Sequence, residues 1–121
     1  MSTIEIAKKY VDLVKANKHE EALELFAQDA VSVEAGGPPG KSTEAVGLPA
    51  IHAKGKEWAA NHEIRASRVD GPWPNGDRFI VRFGYELTHR PTGKAMSMEE
   101  AGLFTVKDGK ISREEFFYAM G

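Results

Sequence analysis

The strongest constraint on the fold of this chain is a regular alternation of side chains between Arg78 and His89. Every second residue in this stretch is aromatic or aliphatic: Phe79, Val81, Phe83, Tyr85 and Leu87. The residues between them include arginine, glutamate and threonine. A period of two is typical of a strand with one buried face. The sequence therefore predicts a strand whose apolar face must be covered by other elements.

Two further strands are predicted after this one. Pro91-Thr-Gly93 interrupts the pattern, and a second extended run covers 94–106. Lys107-Asp-Gly-Lys110 then places Asp-Gly at the centre of a turn, which is a strong hairpin signal. A third run covers 111–118. Together the three runs predict an antiparallel meander.

The first half of the chain carries mostly helical signals. Ser2-Thr-Ile-Glu5 matches a capping box, and Pro49 suits the first turn of a later helix. The predicted elements are helices at 3–16, 19–28 and 49–60, strands at 29–35 and 62–69, a Gly- and Pro-rich loop at 36–43, and a turn at 71–76. This order predicts one α+β domain over 1–121, with helices covering one face of an antiparallel sheet.

Composition argues against several classes of function. The formal net charge is −2, and no local run of Lys or Arg favours nucleic acid. The chain has no Cys, which excludes disulfides and thiolate sites. No apolar run approaches the ~18 residues of a membrane span, and the N-terminus lacks the pattern of a signal peptide. We expect a soluble cytoplasmic protein without nucleic-acid or membrane partners.

The sequence also gives no support for a cofactor. The stretch 35–42 loosely matches a phosphate-binding loop, but Pro38 and Pro39 lack the amides that would bind phosphate. The four His residues are scattered without ligand spacing, so we expect no metal and no cofactor. We instead expect the segment 36–46 to be a mobile loop over the mouth of a pocket.

Two short passages carry a family resemblance: Leu25-Phe-Ala-Gln-Asp-Ala30 leading into the first strand, and Lys107-Asp-Gly-Lys-Ile111. With the order of elements, they make the chain resemble the SnoaL-like proteins of the nuclear transport factor 2-like superfamily, which also includes ketosteroid isomerase. The resemblance implies a cystatin-like conical cup, in which a curved antiparallel sheet wraps around N-terminal helices and a pocket opens at one end. It implies acid–base isomerases, cyclases or dehydratases, or binding modules without activity, and frequent dimers through the outer sheet face.

The isomerase pattern is met in part. Tyr10 falls where that family has an oxyanion-stabilising Tyr on its first helix. The family's general base falls on Ala35, and its second oxyanion acid falls near Gly102. Tyr10 is therefore a catalytic candidate by resemblance, whereas the other two positions lack the expected groups.

Strand parity supplies another catalytic candidate. Met96, Met98 and Phe104 share one face of the second meander strand, so Glu100 should point inward with them and Glu99 outward. A carboxylate among apolar side chains has a raised pKa and can act as a general acid or base. Alternatively, Glu100 forms a structural ion pair with Arg68, Arg113 or His62.

Other candidates complete the predicted site. His62 lies at a helix-to-strand corner, where it serves either as a proton carrier or as a cap for helix carbonyls. Glu34 adjoins the missing base, but Val31, Val33 and Ala35 suggest that it faces away unless a bulge turns it inward. The predicted pocket lining for a small hydrophobic or aromatic molecule is Glu34, Trp58, Phe83, Tyr85, Met98 and Tyr118; aromatic residues at these spacings are also ordinary core.

Three classes of function stay open at this point: an acid–base enzyme without cofactor, a ligand-binding module, and a dimeric interaction module. The outer sheet face bears on the last of these. Ile80 lies on that face, and the adjacent Phe116 and Phe117 put aromatic groups on both faces of a sheet that the helices can cover on one side only. We therefore also expect a homodimer through this face.

Overall fold

The structure is a computed structural model, and it describes residues 1–37 and 39–119. Its elements are α1 (Thr3–Lys15), α2 (His19–Leu23), β1 (Phe26–Val33), β2 (Glu44–Val46), α3 (Leu48–Asn61), β3 (His62–Asn75), β4 (Arg78–His89), β5 (Lys94–Lys107) and β6 (Lys110–Phe117). The predicted α+β class is confirmed. No helix of the described ranges is both long enough and apolar enough to cross a membrane.

All six described strands belong to one curved, open sheet in the order β2-β1-β6-β5-β4-β3. The predicted meander is confirmed, because β4, β5 and β6 pair antiparallel in sequence order. One pair departs from the expected antiparallel sheet, since β1 runs parallel to β6. Strand β6 is placed between β5 and β1 by its hairpin with β5, and in the described residues no single helical crossover connects it to β1.

Helix α1 covers the inner face of the sheet, packing against β3 and β4. Its N-terminus is the predicted capping box: the Ser2 hydroxyl accepts from the Glu5 amide at 3.2 Å, and the Ser2 amide donates to the Glu5 carboxylate at 3.0 Å. The buried stripe of the helix is Ile6, Ala7, Tyr10, Val11 and Val14. Helix α3 packs more loosely on β1, β2 and β3, and Ile51 is its buried apolar residue.

Several boundaries differ from the sequence-based expectation. The second helix ends at Leu23 instead of 28, because Phe26 pairs with Ile111 in the sheet and its side chain is buried. The segment 44–46, expected to be loop, is strand β2 paired with β1. Strand β3 continues through the expected turn as far as Asn75, with a register shift between Asp70 and Trp73. An edge strand tolerates prolines because the missing amides have no partner strand to serve.

The centre of the core is aromatic. The rings of Phe79 and Phe104 stack at 4.9 Å, and the Tyr10 ring lies 4.7 Å from that of Phe104. Gly102 makes this packing possible: a Cβ at this position would lie 2.8 Å from Cε1 of Phe104 and 3.3 Å from Cε1 of Phe116. The glycine therefore leaves room for two rings on the inner face of β5.

We expect Gly102→Ala to destabilise the protein by about 1–3 kcal/mol, since the added methyl group overpacks a rigid aromatic core. Gly84→Ala is the matched control, because a Cβ at this β4 position meets the flexible guanidinium of Arg68 at 3.3 Å. Urea unfolding at neutral pH measures both. Equal stability of the two variants would contradict the role assigned to Gly102.

Candidate functional site

The inner face of the sheet becomes polar towards the β1 side. Ser32 on β1 pairs with Glu114 on β6, which pairs in turn with Phe104 on β5, so the three side chains share the inner face. Glu100 pairs with Phe83 of β4 and lies on the same face, as the parity of β5 predicted. The fold thus brings carboxylates from different strands together beside the aromatic core.

Lys54 reaches this face from α3 and bonds to one residue of β1 and to one residue directly after it. Its ammonium donates to the Ser32 hydroxyl and to Glu34 Oε2, the latter at 3.1 Å. Ser32 donates its own proton to Glu114 Oε1 at 3.1 Å. Tyr118 donates to the other oxygen of Glu34 at 3.3 Å. We call Ser32, Glu34, Lys54, Glu100, Glu114 and Tyr118 the polar cluster.

Glu100 is the member of the polar cluster without a bonded partner. In the part of the chain that the structure describes, no basic side chain lies within ion-pair distance of its carboxylate. The basic residues considered as partners bond elsewhere: Arg68 pairs with Glu99 at 3.0 Å, and Arg113 lies 4.0 Å from Glu115. Glu99 faces outward, as predicted, and also binds Arg82 at 2.6 Å.

Two carboxyl groups of the cluster titrate near neutrality. Burial, reinforced by the charges of Glu34 and Glu114, raises the pKa of Glu100 to about 7, with Lys54 opposing the rise. Burial also raises the pKa of Glu114 to about 7, although Lys54 and the Ser32 hydrogen bond act in the opposite direction. Glu114 is only 6% exposed, whereas Glu100 is half-buried and remains accessible from solvent.

Three tyrosines lie around the carboxylates. Burial is the first cause that raises the pKa of Tyr10 and of Tyr85, and the negative charge of Glu100 contributes at both. The Tyr10 ring is part of the core, and the charges of Glu114 and Glu100 both act on its hydroxyl. Burial and the Glu34 carboxylate raise the pKa of Tyr118 in the same way. All three hydroxyls stay protonated at neutral pH.

The expectation that Glu34 faces away from the site is wrong. Its carboxylate binds Lys54 and Tyr118, and the side chain is 29% exposed. The inward residues of β1 are the small side chains Ala30 and Ser32, both fully buried. Val31 and Val33 point outward and are only partly buried, so their apolar character indicated the wrong face.

The remaining predicted site residues lie around the ring of Tyr85 or at the end of α3. His62 bonds through Nδ1 to the Trp58 carbonyl at 2.7 Å and stacks on the Trp58 ring at 4.5 Å, which matches the capping alternative. Trp58 also contacts Tyr85, with ring centroids 5.4 Å apart. Met98 pairs with Tyr85 on the inner face and is half-buried. Phe83 is buried beside Tyr85 as core.

Two surface depressions occur away from the polar cluster. One of about 860 Å³ is bordered by α2, the start of α3 and Lys110. Another of about 640 Å³ lies over β3, β4 and β5, around Arg68 and Glu99. Neither is lined by Glu100 or His62. Within the described ranges, no group of three or more His, Asp or Glu side chains is arranged to hold a metal.

Sequence reasoning missed Ser32, Lys54 and Glu114. Two of them carried a usable signal. Lys54 lies three residues after Ile51 and four before Trp58, which places all three on one face of α3. Glu114 lies two residues before Phe116 on a strand, so the two share a face. Charged neighbours at 113 and 115 made Glu114 look like part of a solvated run.

The raised pKa values of Glu100 and Glu114 predict that the free energy of unfolding falls as pH rises through 7. A group with a folded-state pKa of about 7, above the ordinary value of 4.5, stabilises the fold fully below the unfolded value and loses that contribution as pH rises through 7. Glu100→Gln or Glu114→Gln should therefore gain stability relative to wild type between pH 5 and pH 8, by about 1–3 kcal/mol each. Urea unfolding at both pH values measures the change.

Glu99→Gln is the control for this experiment, because Glu99 is its exposed neighbour on β5 and lies on the outer face. Its difference from wild type should change little between the two pH values. A large loss of stability in Glu100→Gln at pH 8 would instead mean that the carboxylate is a structural ion-pair partner.

Known structures share this architecture. A candidate SnoaL-like polyketide cyclase from Mesorhizobium loti, whose name also carries the words carbohydrate phosphatase, is 39% identical with a TM-score of 0.91, covering 98% of this chain and 100% of that one. A nuclear transport factor 2-like protein from Burkholderia thailandensis is 19% identical, with a TM-score of 0.84 and coverage of 98% and 92%.

A protein of unknown function with a cystatin-like fold from Xanthomonas campestris is 20% identical, with a TM-score of 0.79 and coverage of 99% and 92%. No curated protein sequence matches the chain. The family model of the SnoaL-like domain matches residues 1–118. The chain therefore belongs to the SnoaL-like family.

Proposed function

We propose that this chain is an acid–base enzyme that needs no cofactor and that moves a proton at a carbon next to a carbonyl group in a small apolar or aromatic substrate. The observation that carries the proposal is the Glu100 carboxylate. It lies half-buried on the inner face, it has no ion-pair partner in the described residues, and its pKa is about 7. A base with this pKa exchanges protons efficiently at neutral pH.

The reaction begins with Glu100 as its base. The ionised carboxylate takes a proton from the carbon next to the carbonyl, and the electron pair of the broken C–H bond moves to the carbonyl oxygen as an enolate. In an isomerisation, neutral Glu100 returns the proton to a different carbon. In a cyclisation, the enolate carbon attacks a second carbonyl and Glu100 protonates the resulting alkoxide. Either route leaves Glu100 ionised again.

Aromatic and thioether side chains beside Glu100 suit a flat, apolar substrate. The proposed lining is Trp58, Phe83, Tyr85, Met98, Phe116 and Tyr118. Tyr10 adds a third tyrosine hydroxyl on the inner side of this lining, and Glu34 orients Tyr118. The name of the Mesorhizobium loti relative supports the cyclase form of the proposal. We give His62 no proton-transfer step, because its Nδ1 bonds to the Trp58 carbonyl.

Deuterium exchange into 2-tetralone, an enolisable aromatic ketone, tests the proposal without knowledge of the natural substrate. Wild type in D₂O should accelerate exchange at the carbons next to the carbonyl, with a rate that rises through pH 7 as Glu100 ionises. Glu100→Gln should lower the protein-dependent rate ~10²-fold or more, because the base is lost. Proton NMR of the ketone measures the rate.

Glu99→Gln serves again as the control and should exchange like wild type, since its side chain is on the opposite face. If wild type binds 2-tetralone without accelerating exchange, the chain is better described as a ligand-binding module. The position of the two depressions away from Glu100 favours that alternative.

We also propose that two copies associate through the outer sheet face. Trp73 and Ile80 are cross-strand neighbours there, and Ile80 pairs with Leu103 of β5. Trp73, Ile80 and Phe117 are 53%, 41% and 50% exposed, and an apolar patch of this kind is typical of a subunit contact. A stable two-fold contact buries roughly 1,200 Å² or more.

Light scattering at micromolar concentration should give about twice the 13.3 kDa mass of one chain. Ile80→Lys should shift the mass towards the monomer, because it places a charge at the centre of the contact. Ile64→Lys is the control, since Ile64 is similarly exposed at 43% but lies near the far end of β3. A monomeric wild type would rule out the contact.

A further inference from the structure

We propose that the Lys54 ammonium stabilises the negative charge on the substrate oxygen, and that Ser32 and Glu114 hold this ammonium in position. The inference rests on the proposed function, because it assigns the oxyanion-binding group of the same reaction. It also narrows the substrate class to molecules whose reacting oxygen becomes an enolate or a phenolate.

The hydrogen bonds of Lys54 leave one donor for a ligand. An ammonium has three N–H donors and no acceptor. One donor goes to the Ser32 hydroxyl and another to Glu34 Oε2. Residues 1–37 and 39–119 provide no partner for the third donor. The Lys54 side chain is 31% exposed, so this donor can be reached from outside the protein.

Hydrogen bonds attach the Lys54 ammonium to Ser32 of β1 and, through Ser32, to Glu114 of β6. Because the ammonium can only donate, the Ser32 hydroxyl accepts a hydrogen bond from it and donates its own O–H to Glu114. Ser32 is fully buried and Glu114 is 6% exposed, so neither anchor can move freely. The ring of Phe116, 5.5 Å below the ammonium, adds a cation–π contact. Lys54 is therefore held in place before a ligand arrives.

The surrounding carboxylates would oppose an anion unless one of them lost its charge. The proposed reaction meets this condition, because Glu100 becomes neutral as it takes the substrate proton. The negative charge then moves from Glu100 to an oxygen beside Lys54, and the total charge of the polar cluster with its substrate stays constant. The other titratable groups in or around the polar cluster are Tyr10 of α1, Glu34 after β1, Tyr85 of β4, Glu114 of β6 and Tyr118 after β6.

Binding of 4-nitrophenol tests the inference, since its phenolate resembles an enolate and absorbs at longer wavelength than the phenol. Wild type should bind the phenolate, so that the bound probe ionises at lower pH than the free probe. Lys54→Met should weaken phenolate binding about tenfold or more, and Lys54→Gln serves if the Met variant does not fold. Lys56→Met, on the exposed side of α3, should bind like wild type.

Two further variants separate a positioned ammonium from a structural one. Glu100→Gln mimics the neutral carboxyl, so it should bind the phenolate as tightly as wild type or more tightly, and the affinity should fall less steeply above pH 7, where Glu114 still ionises. Ser32→Ala should weaken phenolate binding severalfold while binding of benzene, a neutral ring of similar size, stays unchanged. A structural ion pair between Lys54 and Glu34 would produce neither pattern.

The inference is overturned if wild type binds only the neutral phenol, binds no probe at millimolar concentration, or binds phenolate equally with and without Lys54. Its failure is distinguishable from that of the proposed function. Loss of 2-tetralone exchange with phenolate binding intact rejects the enzyme and keeps the anion site. Exchange that depends on Glu100 but not on Lys54 keeps the enzyme and rejects the anion site.

Discussion

The burial of acidic groups on the inner face of the sheet is the constraint on which the site depends. A charged carboxylate removed from water is costly unless it is paired or protonated. The structure uses both solutions: Lys54 pairs with Glu34, while burial raises the pKa of Glu114 and of Glu100 towards neutrality. Lys54 comes from α3, and its partners lie on β1 and directly after it, so these bonds also join the helix to this side of the sheet.

The fold could be predicted where the alternation of a strand was strong and its neighbours were local. Strands β4, β5 and β6 follow one another through tight turns, so the face assigned to Phe79 on β4 also set the face of Glu100 on β5. Strand β1 lacks this help. It pairs with β6, which is more than 80 positions later in the chain, and local sequence gives no access to that contact.

The residues of the candidate site could likewise be predicted only where local strand parity determined their position. Glu100 stood out because its inward neighbours Met98 and Gly102 are uncharged, and parity alone placed it correctly. Glu34 was assigned to the wrong face because Val31 and Val33 look like core residues, whereas the true inward residues of β1 are small. Lys54 was missed because a charged residue on a weakly apolar helix is usually solvated, and only the tertiary contact with Ser32 shows otherwise.

The polar cluster has a fixed part and a free part, and this asymmetry is what makes proton transfer chemically sensible. Glu34 and Glu114 each accept hydrogen bonds, so adding a proton to either weakens an existing contact. Glu100 has no such contact in the described chain, and its carboxyl can change charge without rearranging its neighbours. A group that titrates near pH 7 beside donors that do not move meets the requirement for a preorganised site: the environment is set before charge develops. The same buried carboxylates that cost stability at neutral pH therefore give Glu100 its reactivity.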